Sequence, residues 1–105
     1  MSLFGKRMKE ARLRAGLSQE KLGVLAGIDE MSSSARMNQY ERGKHEPDFS
    51  MVERIALALD LPESFFFSKD DKTAWLLVAL HRLPSAMRYE VIDAVDAMIA
   101  TSRSG

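Results

Sequence analysis

The side chains best suited to recognition chemistry in this sequence lie on one face of a helix predicted at about residues 33–42. Arginine can form two hydrogen bonds with a guanine edge, and asparagine or glutamine can do the same with adenine. Small side chains at the start of the helix would let its N-terminus approach the floor of a DNA groove. A solvent-facing helix has a similar composition, so the surroundings of this face must decide its role. The residues predicted to contact base edges are Ser34, Ala35, Arg36, Asn38 and Gln39.

The other residue types exclude several classes of protein. The chain has 105 residues and no cysteine, which rules out a disulfide scaffold, a thiol nucleophile and a zinc finger. Its two histidines, His45 and His81, are far apart in sequence, which argues against a catalytic metal centre. We find no nucleophile–base pair and no glycine-rich phosphate loop. The sequence therefore predicts a protein that is not an enzyme and that needs no cofactor or metal.

The charged side chains are unevenly distributed, although the formal net charge is zero. Residues 1–45 carry nine basic and five acidic side chains, whereas residues 46–105 carry six basic and ten acidic ones. This asymmetry favours a basic binding face in the first half and an acidic remainder in the second. An inert dipolar surface would show the same split, so charge alone does not identify a partner.

Helical periodicity runs through the chain and β-branched residues are sparse, which predicts an all-α fold. Cap and turn signals divide the chain into seven helices, of which the first spans about residues 3–15, the second runs from Gln19 to before Gly27, and the third spans about 33–42. Asp48 caps the fourth, with Ser50 and Glu53 as a competing capping box, and its apolar stripe ends at Leu59. Pro62 starts a short fifth helix that contains residues 65–67, the sixth spans about 71–83, and Ser85 caps a seventh that runs to about residue 102. Residues 28–33 are predicted to form a polar turn in which Ser33 caps the third helix. Leu22, Leu25 and Ala26 are the residues of the second helix predicted to face the core.

The last two predicted helices carry more apolar surface than the edge of a small domain can hide. The predicted boundary separates a first domain, residues 1–68, from a helical hairpin, residues 69–105, that mediates dimerisation. The predicted dimer interface comprises Trp75, Leu76, Leu80, Val91, Val95 and Met98. Two other roles stay open for these helices: they can cap the core of their own chain, or they can bind another protein or a small ligand.

The sequence carries no segment that is typical of membrane insertion or export. The longest apolar run, residues 74–80, has seven residues, whereas a membrane helix needs about 20. The first seven residues lack the apolar stretch of a signal peptide. The sequence therefore predicts a cytoplasmic protein that makes no membrane contact.

Several segments, in the order found here, resemble the Cro/repressor-type helix-turn-helix family, also called xenobiotic-response-element-like regulators. The segments are 5–9 (GKRMK), 12–22 (RLRAGLSQEKL), 40–44 (YERGK) and 55–59 (IALAL), together with Pro47. The resemblance covers residues 5–66 and leaves the C-terminal third of the chain outside.

The resemblance implies a lambda-repressor-like DNA-binding domain of five helices, which two further helices follow. It implies that the third helix enters the major groove of double-stranded DNA. Because a monomer with zero net charge would make few phosphate contacts and bind weakly, we also expect a homodimer that reads two half-sites. The resemblance also implies a structural ion pair, Arg12 with Glu41, between the first and third helices. The implied phosphate contacts are Gln19, Lys21, Ser33, Arg42 and Lys44.

The chain departs from the family by one additional residue between Leu25 and Glu41. Either the second helix is shorter and the turn is longer than in the family, or the additional residue lies inside the third helix. In the second case Ser34 and Ala35 are assigned to the wrong face, whereas Asn38 and Gln39 keep theirs.

The sequence thus predicts a sequence-specific DNA-binding transcriptional regulator, a repressor of bacterial or phage origin. The alternative is a protein-interaction module with the same fold, such as an antitoxin or an anti-regulator. That module would use the apolar C-terminal helices as its main contact surface.

Overall fold

The computed structural model describes residues 2–104, which form six α-helices and one short 3₁₀ helix. The helices are α1 (Leu3–Arg14), α2 (Gln19–Leu25), α3 (Glu30–Glu41), α4 (Phe49–Leu59), α5 (Asp71–Arg82) and α6 (Ser85–Ser104), and the 3₁₀ helix (Glu63–Phe67) lies between α4 and α5. No strand is present in this part of the chain. The prediction of an all-α fold is therefore confirmed.

Capping side chains fix where several helices begin. Ser2, Ser18 and Asp48 each accept a hydrogen bond of 2.9–3.0 Å from the backbone N–H three residues further along the chain. These bonds satisfy donors that a helix N-terminus would otherwise leave unpaired. Gly16 and Gly43 follow α1 and α3 with φ angles of 70° and 74°, in the left-handed region that favours glycine.

The third helix begins three residues earlier than the sequence predicts. Asp29 caps it and accepts a hydrogen bond of 3.1 Å from the backbone N–H of Met31. The prediction that Ser33 is the cap is wrong, because Ser33 lies in the second turn of α3 and is fully buried. The turn between α2 and α3 is correspondingly shorter than predicted, at residues 26–29.

One continuous core joins α1 to α5. Its largest fully buried apolar side chains are Met8, Leu22, Met37, Ile55, Phe65 and Phe66. Gly5 lets α1 approach α3, because a Cβ at this position would overlap the carbonyl oxygen of Glu41. The prediction that Leu25 joins the core is wrong: it is 57% exposed. Leu22, Gly23 and Ala26 form the buried face of α2, and Leu25 lies beside that face.

A buried arginine joins the start of α5 to α1. Arg7 donates from Nε and Nη2 to the carbonyl oxygen of Ser68 (3.0 and 2.8 Å) and from Nη2 to that of Lys69 (3.1 Å). Its Nη1 donates to the carboxylates of Glu10 (3.0 Å) and Asp71 (2.8 Å). These five contacts match the five N–H donors of a guanidinium. The segment around the predicted domain boundary is therefore held on α1.

The predicted boundary at residues 68/69 lies inside this contact. Beyond it, Ala74 and Val78 of α5 are buried in the core. The ring of Trp75 packs edge-on against Phe65, with 4.8 Å between the ring centroids. Helix α5 therefore packs with the helices that precede it.

Helix α6 extends away from this core. None of its described residues is buried, and the molecule measures 57 Å in one direction but 27 and 23 Å in the others. Near the start of α6, Arg88 donates to the carbonyl oxygens of Leu80 and Leu83, both at 3.1 Å, and so fixes the helix to the end of α5. Within residues 2–104, no helix combines the length and the apolar character that a membrane crossing requires.

Candidate nucleic-acid interface

Helices α2 and α3 meet at two small residues. Gly23 of α2 faces Ser33 of α3 so closely that a Cβ on Gly23 would overlap the Ser33 Oγ. The Ser33 hydroxyl donates a hydrogen bond of 2.7 Å to the carbonyl oxygen of Glu20. The predicted phosphate contact of Ser33 is therefore wrong, because its hydroxyl is enclosed between the two helices. Ser33 instead holds α3 against α2.

The opposite face of α3 is open to solvent. Met37 and Tyr40 belong to the buried side of the helix together with Ser33. The five predicted base contacts are all accessible: Ser34, Ala35, Arg36 and Asn38 are exposed, and Gln39 is half-buried. The structure thus gathers these side chains on one helix, and their contact with bases stays a prediction.

A predicted phosphate contact and a predicted base contact lie side by side. Gln19 is the first residue of α2, and its Nε2 donates a hydrogen bond of 3.3 Å to Oδ1 of Asn38 on α3. The bond ties the start of α2 to the open face of α3. The Gln19 amide can therefore orient Asn38 while it stays within reach of a neighbouring anionic group.

One predicted base contact is partly anchored. The Arg36 Nη2 donates a hydrogen bond of 2.8 Å to the hydroxyl of Tyr40, and its Cζ lies 5.9 Å from the centroid of the Tyr40 ring. Tyr40 is itself buried, so it offers a fixed point. The bond limits the rotamers of Arg36 before any ligand binds and leaves further N–H donors available.

The structure brings Arg12 and Glu41 together in a two-point ion pair. The Arg12 Nε lies 2.8 Å from Oε2 of Glu41, and Nη2 lies 3.1 Å from Oε1. Both residues are buried, and the Arg12 Nη1 also donates to the carbonyl oxygen of Leu17 at 2.9 Å. The pair therefore fixes α1, the loop before α2 and the end of α3 relative to one another. Removing one partner would leave a buried charge without compensation.

Three basic candidates for phosphate contact are exposed around α3. They are Lys21 on α2, and Arg42 and Lys44 after α3. The backbone N–H of Lys44 donates to the carbonyl oxygen of Gln39 at 3.0 Å. This bond closes the C-terminal turn of α3, and the exposed Lys44 follows the helix directly.

Met31 is a residue of this face that the sequence reasoning missed. It is 92% exposed in the first turn of α3, and helical spacing directs Met31, Ala35 and Asn38 to the same side. The sequence signal that could have placed Met31 in α3 is Asp29, because aspartate caps helices as well as serine does and a cap at Asp29 starts the helix before Met31. An apolar side chain here can contact the C5-methyl group of thymine.

Two neighbouring carboxylates at the start of α5 have structural partners. The Asp70 carboxylate accepts hydrogen bonds from the backbone N–H and the hydroxyl of Thr73, both at 2.8 Å, which lower its pKa. Hydrogen bonds from Arg7 (2.8 Å) and Lys6 (3.4 Å) lower the pKa of Asp71. Both groups therefore serve to hold α5 in place. Among residues 2–104, no three or more His, Asp or Glu side chains are arranged to hold a metal ion.

The ring of Trp75 packs against side chains of its own chain. It packs on Phe65 on one side, and the Cζ of Arg14 lies 3.6 Å from the centroid of its ring. These contacts leave Trp75 half-buried, and its place in a dimer interface stays a prediction.

The other predicted interface residues keep accessible apolar surface. Leu76, Val95 and Met98 are 55%, 46% and 70% exposed, and Leu80 and Val91 are half-buried. Four further residues of α6, outside the predicted interface set, are also exposed: Met87, Tyr89, Ile92 and Ile99. The apolar surface of α6 therefore extends beyond that set.

Comparison with known proteins identifies the family of the first four helices. The sequence profile of the helix-turn-helix domain matches residues 3–64. Two relatives, from Sinorhizobium medicae (strain WSM419) and Rhizobium meliloti (strain 1021), are described as uncharacterized HTH-type transcriptional regulators. Each is 36% identical over 63 residues, which make up 60% of this chain and 42% of the relative. The chain thus spans about two fifths of the length of these curated relatives.

A solved structure extends the similarity to the C-terminal helices. The crystal structure of the transcriptional regulator BswR is 39% identical in sequence, with a TM-score of 0.85, over 92% of this chain and 96% of that chain. So large a share reaches well beyond residue 64. The prediction of a regulator rather than an enzyme agrees with all of these relatives. On the profile match and these similarities, this chain belongs to the helix-turn-helix family of transcriptional regulators.

Proposed function

We propose that this chain binds double-stranded DNA in a sequence-specific manner through α3 and acts as a transcriptional repressor in a bacterium. The observation that carries the proposal is the open polar face of α3, which the Gly23–Ser33 contact and the Arg12–Glu41 pair hold rigidly on the domain. A rigid helix that presents amide, guanidinium and small side chains suits the major groove. We expect the protein to act in the cytoplasm, where the bacterial chromosome lies.

The base contacts proposed on this face follow from side-chain chemistry. Asn38 and Gln39 suit adenine, and Arg36 suits guanine. Ser34 and Ala35 are small enough to let the helix approach the bases. With α3 beginning at Glu30, Met31 is added to this set as an apolar contact for thymine.

The phosphate contacts proposed around α3 come from both of its sides. Gln19 and Lys21 lie on α2, whereas Arg42 and Lys44 follow α3. Contacts on two sides fix the register of the helix in the groove but carry no sequence information. Each phosphate neutralised adds about −0.9 to the slope of log affinity against log salt.

A homodimer is part of the proposal, because α6 exposes an apolar surface that a single chain leaves uncovered. The residues proposed for the dimer interface are Leu76 and Leu80 of α5 and Val91, Val95 and Met98 of α6. Two copies would read half-sites about 34 Å apart, one turn of DNA. A dimer on its operator blocks access to that DNA, which is the basis for a repressor role.

Enrichment from a random duplex DNA library at physiological salt tests the proposal, on protein whose mass in solution has been measured. We expect a dimer that selects a two-fold symmetric site. Binding without sequence preference, or no binding at all, would contradict it. An Asn38→Ala/Gln39→Ala variant provides the specificity control, since it keeps the phosphate contacts and should lose the selection.

The exposed surface of α6 also favours a second function, that of an antitoxin or anti-regulator which binds another protein. Co-purification of this chain with one partner in a fixed ratio, in place of a homodimer, would support that function. DNA selection by the same complex would show that the two functions coexist.

A further inference from the structure

The exposed arginine of α3 differs from the arginines that hold the domain together. Arg7 and Arg12 donate to carboxylates and backbone carbonyl oxygens. The hydrogen-bond partner of Arg36 is instead a neutral hydroxyl, that of Tyr40. Among residues 2–104, no carboxylate forms an ion pair with Arg36. Its positive charge is therefore held in place without being neutralised.

The Tyr40 hydroxyl has a fixed position on α3. Tyr40 belongs to the core and is only 5% exposed, so its ring cannot follow Arg36 when that side chain moves. An exposed arginine samples many rotamers, and ordering it on a ligand weakens the binding. The bond of 2.8 Å from Nη2 to the hydroxyl removes part of this disorder before a ligand arrives.

The bond leaves one two-donor edge of the guanidinium free. A guanidinium presents parallel donors on two edges, one formed by Nε with Nη2 and the other by Nη1 with Nη2. Tyr40 accepts one of the two hydrogens of Nη2, so the edge that contains the other hydrogen keeps both donors. The O6 and N7 atoms of guanine accept such a pair of donors.

A hollow of about 360 Å³ next to the guanidinium gives a ligand access. It is lined by Arg36, Gln39 and Tyr40 of α3 and by His45 and Glu46 of the following loop. Glu46 forms no ion pair with Arg36, so the Tyr40 hydroxyl and not a carboxylate sets the orientation of the guanidinium. Arg36 and Gln39 can therefore face neighbouring base pairs from the same hollow.

We propose that Tyr40 is a positioning residue for base recognition, which holds Arg36 so that its free edge reads one guanine in each half-site. Tyr40 itself touches no base and acts only through Arg36. The inference rests on the proposed function and deepens it, because it names the residue that sets how strongly this guanine is selected.

Tyr40→Phe tests the positioning role, because it removes the hydroxyl and keeps the ring in the core. The affinity of the selected site is measured with each of the four bases at every position. We expect the preference for guanine to fall roughly three- to tenfold at one position per half-site and to stay unchanged elsewhere. Tighter binding by Tyr40→Phe would show that the hydroxyl draws Arg36 away from DNA, and would overturn the proposal.

Two backgrounds separate this role from a structural one, which would change the unfolding temperature but not the base preference. With Arg36→Ala present, Tyr40→Phe should have no further effect on the preference, because the positioned group is gone. With Asn38→Ala present, a matched change at the α3 residue that bonds to Gln19, its full effect should remain. Equal effects in the two backgrounds would overturn the proposal.

Arg36→Lys separates a base contact from a phosphate contact, because lysine keeps the charge and lacks the two-donor edge. We expect it to lose the guanine preference and to keep the salt slope. A loss common to all sequences would make Arg36 a phosphate contact and overturn the proposal.

Failure of this inference and failure of the proposed function give different results. No selection of duplex DNA by the unmodified protein would contradict both, whereas selection that Tyr40→Phe leaves unchanged would contradict the positioning role alone. Nuclear magnetic resonance relaxation of the Arg36 Nε–H group needs no DNA. We expect an ordered side chain that becomes mobile in Tyr40→Phe, and equal mobility in the two proteins would overturn the positioning role.

Discussion

At the scale of single residues, the contact between Gly23 and Ser33 sets the distance between α2 and α3. We expect Gly23→Ala to destabilise the fold by about 1–3 kcal/mol, because the added Cβ overlaps the Ser33 Oγ. Ser33→Ala removes the closest obstacle and leaves the Cβ of residue 33 and the Cγ of Met37 at 3.1 and 3.0 Å, and it also removes one hydrogen bond, worth about 1 kcal/mol. The double variant should therefore lose less stability than the sum of the two single variants, which urea unfolding measures. Strict additivity would show that the two side chains do not compete for the same space.

Gln39 is the residue at which base recognition is most directly testable. It lies next to Asn38, and the backbone of Lys44 bonds to its carbonyl group, so its backbone is well fixed. We expect Gln39→Ala to relax specificity at one base position at a cost of about 1–3 kcal/mol in binding free energy. Binding measured to every single-base variant of the selected site gives the result. A uniform loss on all sequences would move Gln39 to the phosphate contacts.

At the scale of elements, Arg7 makes α1 and α5 into one unit, and the Asp71 carboxylate is its titratable partner. Hydrogen bonds from Arg7 and Lys6 lower the pKa of Asp71 below its ordinary value of 3.8. A lowered pKa in the folded state means that the stabilisation is complete well above pH 3.8 and is lost as the pH falls through the folded value.

We therefore expect Asp71→Asn to lower the unfolding temperature near neutral pH and to reduce its fall between about pH 4 and pH 2. Thermal unfolding followed by circular dichroism at several pH values measures both effects. Asp93→Asn, on the exposed helix α6, is the matched control and should leave the acid part of the curve unchanged. An unaltered pH profile in Asp71→Asn would assign the acid sensitivity to other carboxylates.

The elements differ in how well the sequence predicts their bounds. The starts of α1, α2 and α4 could be predicted from their apolar stripes and, for α2 and α4, from the caps Ser18 and Asp48, although Ser50 with Glu53 formed a competing capping box for α4. The start of α3 could not be predicted, because Asp29 and Ser33 are equally good caps in isolation. Only the tertiary contact of Ser33 with Glu20 and Gly23 decides between them.

The same limit applies to the candidate site. Residue types and the family resemblance were enough to predict which helix carries the candidate recognition face. The resemblance also predicted the ion pair between Arg12 and Glu41. The sequence could not predict the burial of Ser33 or the packing of Trp75, because both depend on neighbours that are distant in sequence. Arg7 gave no signal at all, since its partners Ser68 and Lys69 offer only backbone oxygens.

At the scale of the whole molecule, a dimer doubles the effect of a substitution at each phosphate contact. We expect Lys44→Ala to weaken binding to every sequence and to reduce the salt slope by about 1.8, twice the value of one phosphate. Lys72→Ala, in the acidic half of the chain, is the matched control and should not change the slope. A reduction of about 0.9 would indicate that one copy alone carries the contact, and an unchanged slope would place Lys44 away from DNA.

The exposed apolar surface of α6 has a consequence for concentration dependence if two chains pair through it. If pairing must precede operator binding, occupancy at low expression rises with the square of the number of chains in the cell. A twofold change in synthesis then produces up to a fourfold change in occupancy, which is steeper than a monomer would give. Pairing through the exposed helix α6 would in this way make the response of gene control to the concentration of the protein steeper, without any inducer.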